Sequence, residues 1–306
     1  MSVEKVRWLQ TALQIKGSVI SAIYRRVIGC GLFGVLISLL YYFKLPVSQP
    51  ILQSVIPSIV LGLLLVFRTN TAYERFWEGR KNWGSIVNNV RNLARQIWVS
   101  IDEIYPEDRD KKIGTLYLLV AFAVATKLHL RGECVNDELE NLMSYSKYLK
   151  LKSMNNPPLE VAFWIEDFLK QQYNCKCINI YQLTKMQELL NKLVDNLGSC
   201  ERILKTPMPL AYAIHLKQLM LLYCCLLPFQ LVHSLGWWTG LIVALISFTL
   251  FGIEAIGLEI ENPFGYDAND LPLDTICNTM KRNIDDLISL TPSVESYNSR
   301  VEVSET

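Results

Sequence analysis

The residue types able to carry nucleophilic, redox or metal chemistry are few in this chain, and their spacing argues against all three. The histidines, His129, His215 and His233, are too scattered for a metal cluster, and none has an acid or nucleophile at motif spacing. Each reads as a satisfied core or interface side chain. Eight cysteines do not make a disulfide framework in 306 residues, and they lack the paired C-x-x-C signature of a zinc site. Cys175 and Cys177 form a lone CxC, while Cys224 and Cys225 sit in an apolar run, the pattern of small core hydrophobes in a reducing compartment. Neither a Walker A loop nor a dinucleotide glycine fingerprint is present, so no enzyme is expected. The spacing that does recur is apolar. Ile59, Leu63 and Phe67 fall every four positions on one helical face, which by spacing alone reads as packing against a neighbouring helix.

The surrounding elements give that stripe a setting. The chain is 51% hydrophobic with only 19% charged residues, which points to a membrane, and its net charge of +1 offers no global attraction to nucleic acid. Val27 to Phe43 and Ile51 to Phe67 contain no charge and flank "KLPVSQP", a turn with two prolines; together they predict a transmembrane hairpin. A second pair spans Met208 to Phe229 and Leu231 to Ile253. The first of these carries His215, Lys217 and Gln218, so it is expected to face protein or water rather than lipid. Trp237 and Trp238 suit a membrane interface or a packed position. Arg25 and Arg26 precede the first hairpin and Arg68, Arg75, Arg80 and Lys81 follow it, whereas its turn holds only Lys44; both ends are therefore placed in the cytoplasm. The N-terminal "MSVEKVRWLQTALQIKG" is amphipathic and interrupted by charge, unlike a cleavable signal peptide.

The middle of the chain, about residues 68–205, reads as a cytosolic helical region. Trp83, Ile86, Val90, Leu93 and Ile97 recur at helical spacing within residues 70–105. Ile113 to Leu130 is apolar enough to imitate a span, but Lys111, Lys112, Lys127 and Arg131 bound it and a fifth span would invert the topology, so it is placed inside the bundle. "NNPP" from Asn155 to Pro158 predicts a turn. Leu183, Met186, Leu190, Leu193, Leu197, Cys200 and Leu204 form a packing seam. No internal repeat or strand-period segment stands out, and the predicted class is all-α.

Three motifs then converge. "FRTNTAYERFWEGRKNWG" (Phe67 to Gly84) resembles the bestrophin family in its prokaryotic and plant-thylakoid style, where an F-R-x-N-x-x-Y-x-R-[FW]-x-E-[AG]-R pattern follows the second transmembrane helix. "TPMPLAYAIHLKQLMLLYCCLLPF" (Thr206 to Phe229) is a second match, and "EIENPFGYDANDLPLD" (Glu259 to Asp274) looks like the family's N-P-F-G acidic motif after the last membrane helix. The order fits, and the likeness covers one channel domain over about residues 1–290, leaving a polar tail at 291–306.

The resemblance implies a homopentameric channel around one axial pore, with four membrane helices per subunit continuing into a cytosolic bundle. Its partners would be the lipid bilayer and permeant monovalent ions, not nucleic acid. Aligned through Arg75-Phe76-Trp77, Ile59, Leu63 and Phe67 become three stacked rings of an apolar pore neck, which resists wetting until it widens. Aligned on "MPLAY", Met208 takes the pore aperture position near the cytoplasmic exit, where its thioether makes a soft constriction. Pro207 and Pro209 would break the chain there, and Pro57 would bend or start the neck helix. Arg68, just past the neck, is available to attract anions or meet lipid phosphate, and Arg75 is expected to pair with Glu78. In animal members the acidic motif is a calcium clasp; here Asn262, Asp267 and Asp270 stand at oxygen-bearing positions and Glu259 replaces an amide. The acidic run is thinner in this chain, and the same side chains would cap backbone amides, so a calcium-independent loop is preferred and no cofactor is required. Chloride, with bicarbonate, is the expected cargo. Leu63 where an aromatic ring would favour anions keeps a sodium-type cation channel as the alternative, and a non-conducting scaffold as another. The resemblance places the chain in a bacterial plasma membrane or a thylakoid, with its termini cytoplasmic or stromal.

Overall fold

A computed structural model describes residue 14, residues 17–49 and residues 56–290; the N-terminal stretch, Ile51–Val55 of the second expected span and the 291–306 tail lie outside the described residues. Every regular element among the described residues is helical. In chain order they are α1 (Ile20–Tyr42), α2 (Ile56–Ser100), α3 (Pro106–Arg131), α4 (Asp137–Glu140), α5 (Tyr145–Lys152), α6 (Pro157–Asn174), α7 (Ile180–Lys205), α8 (Leu210–Leu235), a single 3-10 turn (Gly236–Trp238), α9 (Thr239–Glu259) and α10 (Leu273–Ser289). They divide into two compact units. One is drawn from Met1–Trp77 and Thr206–Asp270, the other from Glu78–Lys205 and Leu271–Thr306.

The first unit holds α1, the first part of α2, α8 and α9. Apolar helices occupy the described parts of the stretches expected as spans, with shifted ends. α1 begins at Ile20 rather than Val27, because Arg25 and Arg26 are tolerated in its first turns. The break between the third and fourth spans falls at Gly236, not Gln230: Gly236 has φ +52, a conformation that glycine adopts at little cost, and α8 runs through Pro228 without stopping. Glycines let α1 and α9 approach closely. A Cβ on Gly34 would lie 2.9 Å from Gly240 Cα, and one on Gly240 would lie 2.5 Å from Val35 Cγ2. Small residues at a helix crossing are how apolar helices gain van der Waals contact where water cannot drive association. Ser38 Oγ adds a hydrogen bond to Gly236 O at 3.0 Å.

The second unit wraps its helices around α3. The Tyr105 and Ile104 amides donate to Asp108 Oδ2 at 2.9 and 3.3 Å, satisfying the open start of α3, and Gly132 closes it in the left-handed conformation at φ +68. Leu116 and Leu118 to Ala125 are then buried against α6, α10 and α7. The "NNPP" turn is found: Asn156 Oδ1 accepts from Leu159 N at 3.3 Å and Pro157 opens α6. Asn179 and Gln182 cap α7 reciprocally, each side chain accepting from the other's backbone N–H. The α7 seam is buried as expected except at its end, where Ile203 rather than Leu204 points inward. Lys127, 1% exposed at the far end of α3, donates to Asp274 Oδ1 and Glu138 Oε2, both at 2.7 Å, and Arg131 reaches Asp274 at 3.0 Å. A buried ammonium needs such partners.

Candidate functional site

α2 carries two apolar faces with opposite fates. Leu61 and Leu65 are 3% and 2% exposed and pack in one core with Ile23, Leu216, Met220, Cys224, Phe251 and Ala255. Ile59, Leu63 and Phe67, two positions away on the turn, are 61%, 53% and 56% exposed. Among the described residues the stripe therefore does not pack against a neighbouring helix of its own chain, contrary to the reading by spacing alone. A row of large apolar side chains left bare is covered by lipid, by a second molecule or by a pore shared between molecules. Thr69 Oγ1 bonds back to Leu65 O at 2.8 Å, and Tyr212 Oη donates to Leu64 O at 2.7 Å, fixing α8 beside the stripe.

Phe67 and Met208 come together. Both line a cleft of about 480 Å³ with Thr71, Arg75, Pro207 and Tyr212. Ile59 and Leu63 lie above it on α2 and are not part of it. The prolines act as expected: residues 206–209 are non-helical, and α8 starts only at Leu210 after Pro209. Met208 is half-buried, and its backbone N–H donates to Glu261 Oε1 at 2.9 Å.

Glu261 is the residue that sequence reasoning missed. Its other oxygen, Oε2, accepts from Arg68 Nη2 at 3.4 Å, and its backbone carbonyl accepts from Arg75 Nε at 3.3 Å. Arg75 Nη1 also donates to Thr206 O. One carboxylate thus ties the residue after the apolar stripe to the residue at the cleft's other wall. No periodicity announces it: Glu261 stands two positions past the last residue of α9, in a motif where Glu259 and Asn262 drew attention. Arg68 corrects an expectation. It is 1% exposed, with Nε and Nη1 lacking hydrogen-bond partners, so it faces neither anions nor lipid phosphate. Gly257 explains the burial, since a Cβ there would meet Arg68 Nε at 3.4 Å. In the second unit, Glu78 accepts from Arg202 Nη2 at 3.1 Å, a partner 124 positions away rather than three.

The clasp-like residues work as loop caps. Asn262 Oδ1 accepts from Phe264 N at 3.3 Å, Asp270 Oδ2 accepts from Asp267 N at 2.8 Å, and Glu259 Oε1 accepts from Asn269 Nδ2 at 2.9 Å. Gly265 lies so near that a Cβ would come within 2.7 Å of Asp270 Oδ2. Calcium takes about six to eight oxygen ligands. Among the described residues no group of three or more His, Cys, Asp or Glu is arranged to hold a metal. His129, as expected of a satisfied histidine, bonds Glu201 at 2.7 Å. Of the eight cysteines, all free, Cys177, Cys200, Cys224 and Cys277 are buried; burial pushes the Cys200 and Cys277 thiols up to about 12, which suits inert core residues.

Comparison with known proteins agrees with the three motifs. The family model described as Bacterial/Fungal Bestrophin protein matches residues 1–286. The chain is 78% identical over 297 residues to the voltage-dependent anion channel-forming protein alr2987 of Nostoc sp., covering 97% of each chain. It is 59% identical over 285 residues to the protein of the same description, sll1024, from Synechocystis sp., covering 93% of each. Among solved structures, a bacterial bestrophin homolog from Klebsiella pneumoniae superposes with a TM-score of 0.79 at 29% identity, over 88% of this chain and all of that one. The protein belongs to the bestrophin family, in its bacterial and fungal branch.

Proposed function

We propose that this protein is a multi-pass membrane channel that assembles as a homopentamer and passes monovalent anions, chloride and bicarbonate among them. The observation that carries the reading is the divided α2: Leu61 and Leu65 hold it in the subunit core, while Ile59, Leu63 and Phe67 stand bare in line. Five copies facing one axis would cover those residues with each other and leave an apolar neck that conducts only when wetted. α1, the first part of α2, α8 and α9 are the four spans. α3 is long and apolar enough to cross as well, but 78% of that stretch is buried, so it offers lipid no face. Both termini and the α3–α7 region then lie on the cytoplasmic or stromal side, as the basic residues beside the spans favour.

Met208 stands with Phe67 at the inner end of the neck, where the shared cleft supports a common constriction. The acidic loop works as a structural clamp without calcium, and Glu261 sets the distance between the two constricting residues. Anion passage draws on the relatives' description as anion channel-forming proteins. The burial of Arg68 removes one source of positive potential below the neck, and Leu63 provides no aromatic edge; together these favour cation passage as the second reading. Mass in detergent and current across a planar bilayer under a salt gradient test the proposal. A pentamer reversing near the anion equilibrium potential is expected. Reversal near the cation potential establishes the second reading, and intact pentamers without current make the protein a scaffold.

A further inference from the structure

A second cavity, of about 430 Å³, opens between α1, α8 and α9, and nothing in the channel reading uses it. Its walls are largely apolar, with Phe33, Leu221 and Phe251 among them, yet an arginine, a lysine and a glutamate stand on it: Arg26, Lys217 and Glu254. Glu254 is 1% exposed, and neither carboxylate oxygen has a hydrogen-bond partner; the nearest cation is Arg26 Nη1 at 3.9 Å. Arg26 is more than half exposed, and Lys217 is exposed with no ion pair among the described residues. Two cations and one carboxylate leave a net charge of +1, so the complement of this cavity is one singly charged anion.

Depth identifies where that anion comes from. Arg26 precedes Tyr42 by sixteen positions in α1, and Glu254 follows Trp238 by sixteen in the last span; at 1.5 Å per residue each separation is about 24 Å. At the other end Tyr42, Phe43, Trp237 and Trp238 are exposed, with the Tyr42 and Trp237 rings 5.6 Å apart, the pattern of an interfacial aromatic belt. With one end in a headgroup layer, the three charges reach the opposite layer, given a hydrocarbon core of about 30 Å and basic side chains that extend outward. We propose that the cavity binds one acidic membrane lipid, its singly charged phosphodiester or sulfonate held by Arg26 and Lys217 and an acyl chain laid along Phe33, Leu221 and Phe251. Glu254 holds Arg26 over the cavity and repels a second negative charge, which selects monoanionic over dianionic heads. The site bears on the neck, because Met220, Cys224 and Phe251 on its wall belong to the core that grips Leu61 and Leu65 of α2.

This inference rests on the membrane reading and is tested by lipid retention on the full-length protein in detergent, measured by native mass spectrometry. Phosphatidylglycerol is expected to be retained at least fivefold over phosphatidylcholine. Lys217→Gln and Arg26→Gln should each reduce it to the phosphatidylcholine level, and Lys217 is exposed enough for its variant to fold. Glu254→Gln should raise retention of phosphatidic acid several-fold, since its phosphomonoester carries the charge that the carboxylate repels. Equal retention of the two phospholipids by the native protein, or undiminished phosphatidylglycerol in Lys217→Gln, overturns the proposal. Displacement of the lipid by glycerophosphoglycerol, its deacylated and singly charged headgroup, at equal concentration overturns the acyl-chain part and makes this a site for free phosphodiester anions. Retention of no lipid at all overturns the proposal, whereas a protein that stays monodisperse without detergent overturns the membrane reading itself.

Discussion

The most apolar 18-residue stretches of α1 and α3 match in mean hydropathy, yet 22% of that stretch is buried within the protein in α1 and 78% in α3. The difference lies in what surrounds them. α3 is enclosed by α6, α7 and α10, and its buried lysines are met: Lys112 by Glu103 and the Ile101 carbonyl at 2.9 Å, Lys127 by two carboxylates. α1 has close neighbours on one side only, through its glycines, and presents Ile28, Leu32, Leu36 and Leu39 outward. Hydropathy measures how apolar a helix is, while burial depends on which other faces the chain can supply. A lysine that finds carboxylates marks a helix packed in protein, and a bare leucine row marks one that some other apolar medium must cover.

Substitutions sharpen this contrast in decreasing order of effect. Leu119→Asp at the centre of α3 would bury an unpaired charge and is expected to cost well over about 4 kcal/mol, seen as loss of protease resistance in the second unit. Leu32→Ala on α1 should change stability by less than about 0.5 kcal/mol. Equal losses would break the contrast. Next comes α2. Leu65→Ala, on its packed face, should cost about 2–5 kcal/mol by opening a cavity, whereas Leu63→Ala should leave thermal stability nearly unchanged and raise open probability several-fold. Gly240→Val would drive a side chain into Val35 and Gly31 and should cost about 1–3 kcal/mol through separation of α1 from α9.

The smallest effect concerns the charges around α3. Burial by itself would raise the Asp274 carboxyl, but the hydrogen bonds and charges of Lys127 and Arg131 outweigh it and hold the group below its usual 3.8. Burial by itself would lower Lys127, but its bonds to Asp274 and Glu138 leave it above its usual 10.5. The depressed acid stabilises the second unit at pH above 3.8, and that contribution is lost as pH falls through its folded value. The raised ammonium stabilises below pH 10.5, and its contribution is lost as pH rises through its folded value. Asp274→Asn should flatten the acid limb of a stability–pH curve and leave the neutral plateau within about 1 kcal/mol, because half of Asp274 is exposed to water.

Much of this architecture is legible in the residues. The apolar helices, the "NNPP" turn and the α7 seam follow from periodicity and turn chemistry, and one family model matches residues 1–286. Helix ends are less legible, because Arg25 and Arg26 can sit inside a helix and Pro228 does not stop one. The candidate site is only half legible. Ile59, Leu63 and Phe67 declare a face by their spacing, but whether that face is covered depends on partners far along the chain. Arg68 illustrates the limit: a basic residue just past an apolar stretch reads as exposed, and only the approach of Gly257 and Glu261, about 190 positions later, encloses it. Glu261 and Glu254 are likewise invisible to spacing, since each gains its role from a helix distant in sequence.

The central claim is that the bare face of α2 lines a water-filled passage, and Leu63→Cys tests it most directly. A charged, membrane-impermeant thiol reagent applied to the reconstituted variant should alter its current while leaving the native protein, with its own exposed Cys134, Cys175 and Cys225, unaffected. A current indifferent to that reagent, with the introduced thiol modified only by lipid-soluble reagents, would place the stripe against acyl chains and contradict the account.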